Sequence, residues 1–184
     1  MSLVVFVFAV SNSALAFENH LLIEAGGGFH GNVSKEQTLG SGDVPEVSLG
    51  LGYKINRLNI VGEMTYLKYP EEGNPSVRLR SQTYRLMPWA RYDFFQKNRI
   101  ALFAGLGVGI EQSTVVTRLL DQEKSKTGEL RYLMGAGIGG VFSIIRETKY
   151  LNALNILLEA KTIGRASSQY EANLTFFAKI GLVL

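Results

Sequence analysis

The residue types that most often carry catalysis are sparse in this chain. The sequence has no cysteine and two histidines, His20 and His30. Without cysteine, disulfides, thiolate-bound zinc and thiol chemistry are excluded. Both histidines fall in one predicted strand, too far apart to bind the same metal ion, and we interpret them as polar residues at the strand ends. The sequence therefore predicts neither a metal site nor a cofactor.

A glycine pattern at residues 135–140 matches the nucleotide-binding motif G-x-G-x-x-G. That motif holds phosphate only where a helix begins directly after it, because the helix N-terminus supplies part of the binding. Here residues 141–145 continue a strand pattern instead. The net charge is +3, and lysines and arginines form no run along the sequence, so nucleic acid is not predicted as a partner either.

The side chains most able to do chemistry are charged residues that alternate with apolar ones. Equal numbers of acids and bases favour mutual pairing in a confined interior, because a charge removed from water is tolerated only when it is paired. We therefore predict a charge network in the lumen of a barrel, filling it rather than conducting ions. Its ten members are Glu24, Glu46, Glu63, Arg85, Arg91, Glu111, Arg131, Glu159, Lys161 and Lys179.

The elements that carry these charges are strands, because apolar and polar residues alternate with a period of two. Each segment has about the ~9–11 residues with which a tilted strand crosses a bilayer. After Ala16 no segment has the ~20 apolar residues of a membrane helix, so any membrane crossing is predicted to use strands. Eight segments show the pattern: residues 20–30, 44–53, 58–69, 81–92, 100–113, 130–145, 150–163 and 174–184.

The connections between these segments alternate in length. Short ones lie near residues 54–57, 94–98 and 146–149, and longer polar ones at 33–43, 70–80, 114–129 and 164–172. Outer-membrane barrels have short periplasmic turns and long extracellular loops. Alternation also persists beyond Glu111. We therefore expect the fifth and sixth strands (100–113 and 130–145) to project outside the membrane as a ribbon, with its tip near residues 124–127.

Glycine and aromatic residues fit the same arrangement. Many of the 20 glycines share the charged face, where they are predicted to make room for large side chains in a narrow barrel interior. Aromatic residues on the apolar face are predicted to form two belts at the membrane interfaces. The large side chains expected inside are Arg85, Trp89, Arg91, Phe103 and Phe177.

The N-terminal residues predict a cleaved export signal. An apolar run at residues 3–10 is followed by the small-x-small sequence Ala14-Leu15-Ala16, at which signal peptidase cuts. No lysine or arginine precedes the run, although export signals carry positive charge there. A buried N-terminal strand is the alternative. We assign residues 1–16 to a signal peptide and residues 17–184 to an outer-membrane barrel domain.

The signal-like segment, the eight amphipathic strands, the alternating loop lengths and the apolar final strand together resemble the OmpA/OmpX-type outer-membrane β-barrel family. One departure is the ending Gly181-Leu182-Val183-Leu184, because family members usually end in an aromatic residue. The resemblance implies an all-β fold, an eight-stranded antiparallel up-and-down transmembrane β-barrel. It also implies export through the periplasm to the outer membrane of a Gram-negative bacterium, contact with membrane lipids and lipopolysaccharide, and a monomeric state.

For function, we expect a non-enzymatic integral barrel with a structural or surface-interaction role, its loops displayed outside the cell. An extracellular protein partner bound through those loops is compatible with this role. Two alternatives stay open. One is a narrow or gated pore. The other is a lipopolysaccharide-modifying enzyme, since some similar barrels use a histidine with serine or glutamate near the outer rim, which His30 and Glu46 approximate without a His-x-Ser pattern. A soluble lipocalin-like barrel is the non-membrane alternative, and the wide apolar face argues against it.

Overall fold

The structure is a computed structural model of the chain. It describes residues 19–32, 44–74, 77–119, 122–146, 151–165 and 172–184. The predicted export signal, the loop at 33–43 and the turn at 146–149, except for Arg146, lie outside the described residues. The described residues form strands and no helix, so none of their segments is a helix that could span a membrane.

Ten strands follow one another along the described residues. Eight form a barrel, and the two short ones, β4 and β7, pair only outside it. The strands are β1 (Asn19–Asn32), β2 (Val44–Ile55), β3 (Leu58–Lys68), β4 (Glu72–Asn74), β5 (Val77–Lys97), β6 (Ile100–Leu119), β7 (Gln122–Thr127), β8 (Arg131–Arg146), β9 (Ala153–Arg165) and β10 (Ala172–Val183).

The barrel strands are antiparallel and adjacent in the order β1-β2-β3-β5-β6-β8-β9-β10. Closure comes from the pairing of β1 with β10, which begins at Leu22 with Val183. At the end of this seam the backbones of Leu21 and Leu184 exchange hydrogen bonds of 3.1 and 2.9 Å. Closure leaves the barrel without a free edge. The predicted fold, an eight-stranded antiparallel up-and-down barrel, is confirmed.

The two faces of the barrel are inverted relative to a soluble protein. Apolar side chains point outward, and those of Leu106 and Leu158 are 69% and 62% exposed. Charged side chains point inward, and those of Glu63, Arg91 and Lys161 are at most 3% exposed. A soluble barrel would bury its apolar face, whereas a transmembrane barrel presents that face to lipid. The face assignment made from the alternation therefore agrees with the structure.

Two short turns at one end of the barrel lie fully within the described residues, and both have the sequence Asn-Arg. Asn56-Arg57 joins β2 to β3, and Asn98-Arg99 joins β5 to β6. The asparagines have φ of 54° and 51°, a left-handed conformation that asparagine tolerates better than most residues. The second turn is shorter than predicted. A register shift between Asp93 and Phe95 inserts an extra residue, and β5 then continues to Lys97.

At the opposite end, β5 and β6 extend beyond the barrel. β3 pairs with β5 only as far as Lys68 with Gln82, and β8 pairs with β6 only as far as Glu111 with Arg131. The β5–β6 ladder continues to Val77 with Leu119. β4 adds to the free side of β5, and β7 adds to the free side of β6. We call this extension, residues 72–74, 77–82, 112–119 and 122–127 in the order β4-β5-β6-β7, the projecting sheet.

The projecting sheet corrects the predicted ribbon. Its two long strands are the fourth and fifth of the barrel, not the fifth and sixth, because β8 begins at the rim. Residues 124–127 are not a tip but lie within β7, with Lys124 opposite Thr117. The physical reason is the sequence of residues 77–80, in which Val77 and Leu79 alternate with Arg78 and Arg80. The sequence predicts a loop for these residues, yet they supply the strand with which β6 pairs.

Candidate functional site

The middle of the lumen is filled by a group of charged side chains that we call the central cluster. Three are acids and three are bases, so the group is electrically balanced. All are buried, with at most 4% of any residue exposed. They come from β1, β3, β5, β9 and β10, and they are Glu24, Glu63, Arg91, Glu159, Lys161 and Lys179.

Ion pairs connect every member of the central cluster. Arg91 is its centre: its guanidinium lies 2.7 Å from Glu24, and 3.2 Å from both Glu63 and Glu159. Lys161 Nζ lies 2.7 Å from Glu63 and 3.0 Å from Glu159. Lys179 contacts the same two carboxylates. Each cation therefore has at least two anionic partners, which is how charges are tolerated away from bulk water.

Aromatic rings pack against the cations of the central cluster. Lys161 Nζ lies 4.5 Å from the centre of the Trp89 ring, and the Arg91 guanidinium lies 5.4 Å from that of Phe103. Two glycines make room for Trp89. A Cβ atom on Gly107 or on Gly135 would lie 2.7 Å from the indole ring. The glycines on the lumen face therefore provide space for a large side chain, which is the role predicted for them.

Adding a methyl group at Gly107 should destabilise the barrel. Gly107→Ala forces its new Cβ against the rigid Trp89 ring, and overpacking of this kind costs about 1–3 kcal/mol. Gly62→Ala is the matched control, because its Cβ would meet its nearest atom at 3.6 Å. Urea unfolding in lipid vesicles should show a lower midpoint for Gly107→Ala only. Equal midpoints would show that Trp89 moves aside without cost.

A second group of charges, the outer cluster, lies nearer the projecting sheet. Arg85 pairs with Glu111 and Glu46, both at 3.1 Å, and Arg165 reaches Glu111 at 2.7 Å. His30 Nδ1 lies 2.8 Å from Glu46. The two carboxylates of this cluster, Glu46 and Glu111, are matched by two guanidinium groups, those of Arg85 and Arg165. Burial raises the pKa of the nearby phenol of Tyr69, which follows β3, so that group stays neutral at pH 7.

A third polar layer lies at the end with the Asn-Arg turns. Lys54 Nζ donates to Asp93 at 2.8 Å, and Asn59 donates to the same carboxylate at 3.1 Å. These side chains line a cavity of about 630 Å³, which is bounded on the inner side by Arg91 and Phe103. Among the described residues, the lumen therefore holds a cavity at this end, and the paired charges of the central cluster lie beyond it.

The structure brings together nine of the ten side chains predicted for the lumen network. Six form the central cluster, and Glu46, Arg85 and Glu111 belong to the outer cluster. Arg131 is placed differently. It is exposed at the first residue of β8, and Glu111 pairs with Arg165 and Arg85 instead. Because Arg131 lies at the rim, its long side chain can reach water, and its position in the strand alternation does not determine whether it is buried.

Asp93, Lys54, His30 and Arg165 are charged or titratable residues of the lumen that were not predicted as network members. Asp93 and Lys54 continue the inward alternation of their strands by one step, and that signal was available in the sequence. His30, predicted as a strand-end polar residue, lies two residues before the end of β1 and is buried against Glu46. Arg165 is the last residue of β9, although the sequence predicts a loop there. Among the described residues, no three histidine, aspartate or glutamate side chains form a group that could hold a metal ion.

Comparisons with known proteins find relatives by structure and not by sequence. No protein-family model matches the chain, and no curated protein matches it in sequence. Neisserial surface protein A superposes with a TM-score of 0.61 at 14% identity, over 90% of this chain and 96% of that one. The attachment invasion locus protein Ail of Yersinia pestis superposes with a TM-score of 0.60 at 12% identity, over 91% and 99%.

The chain has the fold of the small eight-stranded outer-membrane β-barrels. The similarity extends over nearly the full length of both neighbours, so it includes barrel closure and not a single hairpin. The same Ail protein in complex with the heparin analogue sucrose octasulfate superposes with a TM-score of 0.59 at 13% identity. At these identities the neighbours define the fold of this barrel, and its site must be argued from its own residues.

Proposed function

We propose that this protein is an outer-membrane barrel whose closed lumen anchors the projecting sheet at the cell surface, where the sheet takes part in surface interactions. The observation that carries the proposal is the combination of a lumen filled by paired charges with strands that continue beyond the rim. In such a protein the barrel supplies rigidity, and the extension supplies the contact surface. The proposed role is structural and non-enzymatic.

The filled lumen supports an anchor over a pore. The cavity at the turn end is bounded by Arg91 and Phe103, and the central cluster lies beyond it. An ion crossing this layer would have to separate charges that are 2.7–3.2 Å apart and buried. Such separation costs several kcal/mol, because each charge would be left without its partner.

The buried histidine supports a non-enzymatic role. His30 Nδ1 lies 2.8 Å from Glu46 and 3.0 Å from the hydroxyl of Thr175. In a catalytic triad the acid and the nucleophile contact opposite ring nitrogens, so that a proton passes through the ring. Here one nitrogen faces both groups, and all three residues are at most 4% exposed. This geometry fits a buried structural contact of His30 with Glu46 and Thr175, and it does not fit a proton relay.

The edge of the projecting sheet supports a surface-interaction role. Every residue of β7 is exposed, and within the described residues β7 pairs with β6 alone. A strand with one unpaired side can bind an extended segment of another protein by adding it to the sheet. Two structural neighbours carry descriptions compatible with this role: one is named a surface protein, and the other an attachment invasion locus protein crystallised with a heparin analogue.

Protease treatment of intact cells tests location and orientation together. Trypsin should cut after Lys124 or Lys126 in the exposed β7 and leave the two barrel fragments associated in the outer-membrane fraction. Lys97, next to an Asn-Arg turn, is also exposed and is the internal control, because it should resist cleavage until the cells are lysed. Cleavage at Lys97 in intact cells with protection of β7 would contradict the proposed orientation.

The same purified protein distinguishes the anchor from the pore. Reconstituted in a planar bilayer, it should carry no steady ion current. A stable single-channel current from the unmodified protein would favour the pore.

A further inference from the structure

The cavity at the end with the Asn-Arg turns has one polar wall and one apolar wall, and we call it the turn-end cavity. Its volume of about 630 Å³ lies within the range of ~300–1,000 Å³ that is usual for small-molecule sites. The polar wall is formed by the neighbouring strands β2, β3 and β5, and the apolar wall by β9, β10 and β1. The side chains of the two walls are, in this order, Lys54, Asn59, Asp93, Leu157, Val183 and Leu22.

The polar wall contains a hydrogen-bond acceptor that lacks a donor. The buried Asp93 accepts from Lys54 Nζ at 2.8 Å and from the Asn59 amide nitrogen at 3.1 Å. The second bond fixes the orientation of the Asn59 amide, because only its NH₂ group can donate to a carboxylate. Asn59 is 8% exposed, and no donor among the described residues bonds to its Oδ1 atom. Buried polar atoms are nearly always hydrogen-bonded, so the occupant of this cavity is expected to bring N–H or O–H groups.

The charges of the polar wall can accept a ligand without losing their own ion pair. The side chain of Lys54 is 24% exposed, and one of the three donors on its ammonium group goes to Asp93. The Asp93 carboxylate has about four acceptor sites, two of which are used by Lys54 and Asn59. A negative group can therefore add at Lys54 while a positive group adds at Asp93. A zwitterion does both and keeps the cavity neutral, whereas an ion of one sign would add an unpaired charge.

The apolar wall is aliphatic and preformed. Leu22 and Val183 are paired in register across the closing seam and belong to one buried apolar cluster. Leu157 lies on the same side of the cavity, where Gly181 leaves room for it, because a Cβ atom on that glycine would lie 2.8 Å from Leu157 Cδ1. An aliphatic group placed against this wall removes its apolar surface from water, which favours binding.

We propose that the turn-end cavity binds a free amino acid with an aliphatic side chain, of which leucine is an example. The ammonium group of the ligand donates to Asn59 Oδ1 and Asp93, its carboxylate accepts from Lys54, and its side chain packs on the apolar wall. The central cluster lies directly beyond the cavity, so the ligand binds without crossing the lumen. In the proposed orientation this end faces the periplasm, but binding itself does not depend on the orientation.

Three ligands test the parts of the proposed site separately. Folded, ¹⁵N-labelled protein in detergent is titrated with leucine, glycine or leucinol, and binding is followed by the NMR signal of the Asn59 side-chain amide. Leucine should give a saturable shift. Glycine lacks the aliphatic side chain and leucinol lacks the carboxylate, so each should bind at least about ten-fold more weakly than leucine.

Two lysine variants test the position of the carboxylate. Lys54→Met should weaken leucine binding about ten-fold and change leucinol binding by less than about two-fold, so the difference between the two ligands should disappear. Lys97→Met is the matched control, because Lys97 is an exposed lysine at the same end that belongs to neither wall. It should preserve the affinity for both ligands within about two-fold.

A third variant blocks the space and keeps the polar wall intact. Ala101 is buried and lines the turn-end cavity, so Ala101→Leu extends an aliphatic side chain into it. This variant should lose saturable leucine binding, and it tests the site even if Lys54→Met does not fold. The gel migration of unboiled protein shows whether each variant is folded.

Several results would overturn the proposal. If leucine gives no saturable shift, the cavity holds solvent only. Equal affinities for leucine and glycine would show that the apolar wall is not used, and equal weakening by Lys54→Met and Lys97→Met would indicate general charge attraction. Tighter binding of a neutral sugar such as glucose than of leucine would assign the cavity to a different class of ligand. None of these results bears on the proposed anchor, which the protease and bilayer experiments decide.

Discussion

Replacing Arg91 with methionine should lower the free energy of unfolding by about 3–5 kcal/mol. Arg91 pairs with Glu24, Glu63 and Glu159 inside the lumen. Methionine has a similar length but no charge, so the three carboxylates keep only the two lysines as partners. One buried negative charge is then uncompensated. Urea unfolding in lipid vesicles measures the effect, and Trp89, the single tryptophan, reports it by fluorescence from the same layer.

Two further variants show whether the cause is charge balance. Arg99→Met changes an exposed arginine in a turn and should shift stability by less than about 0.5 kcal/mol. Arg91→Met/Glu24→Gln restores equal numbers of acids and bases in the central cluster, so it should be less destabilised than the sum of its single changes. If Arg91→Met were as harmless as Arg99→Met, the central cluster would contribute nothing to stability.

Replacing Leu106 with arginine should destabilise the barrel by roughly 2–4 kcal/mol, the cost of a cation on the lipid face near the middle of the bilayer. Leu106 is 69% exposed in the isolated protein. It lies midway along the part of β6 that pairs with β8, residues 100–111, between Ala90 and Ala136 on the adjacent strands. The new side chain would have lipid and no acidic partner around it. The same unfolding measurement in vesicles gives the value.

Gln112→Arg is the matched control for this change. Gln112 lies on the same strand and the same outward face, level with Tyr84 in the outer belt, where a cation reaches the headgroups and costs about 0–1 kcal/mol. The destabilisation should therefore fall with height along β6. Equal costs at both positions would mean that the outward face of β6 is not in contact with lipid.

Strand alternation was sufficient to predict the fold and most of the lumen. A period of two allows only two assignments of faces, and the positions of Glu24, Arg91 and Lys179 on the same face as the glycines favoured the charged interior. Neither assignment depends on which strands become neighbours. This is why the barrel strands and nine members of the network could be predicted without the register.

Details that depend on register or on strand ends could not be predicted in this way. Arg131 and Arg165 both lie near the rim, and only the pairing of β6, β8 and β9 decides which of them reaches Glu111. The β-bulge at Phe94 could not be predicted either, because the alternation of side chains is regular before it and changes only at Phe95. Residues 77–80 fall in a predicted polar loop that contains Arg78 and Arg80, although they form a regular strand once β6 lies beside them.

The ion pairs within the central cluster could not be predicted from the sequence either. Glu24 and Arg91 lie far apart in the chain and meet across the lumen, on strands that are not neighbours in the sheet. Contacts of this kind depend on the width of the barrel and on the space that Gly107 and Gly135 leave around Trp89. The sequence predicted equal numbers of acidic and basic side chains in the lumen, but which of them form ion pairs is decided only in the closed barrel.

The seam between β1 and β10 has a consequence for how the protein folds. Leu22 pairs with Val183, so the contact that closes the sheet joins residues separated by nearly all of the described chain. Such a high contact order makes folding slow, because the entropy of closing a long loop is lost before the contact forms. Until β10 is in place, β1 and β9 each keep an unpaired edge that can aggregate. We therefore expect insertion to be a late, concerted event that begins only after β10 is available, with the chain kept extended until then.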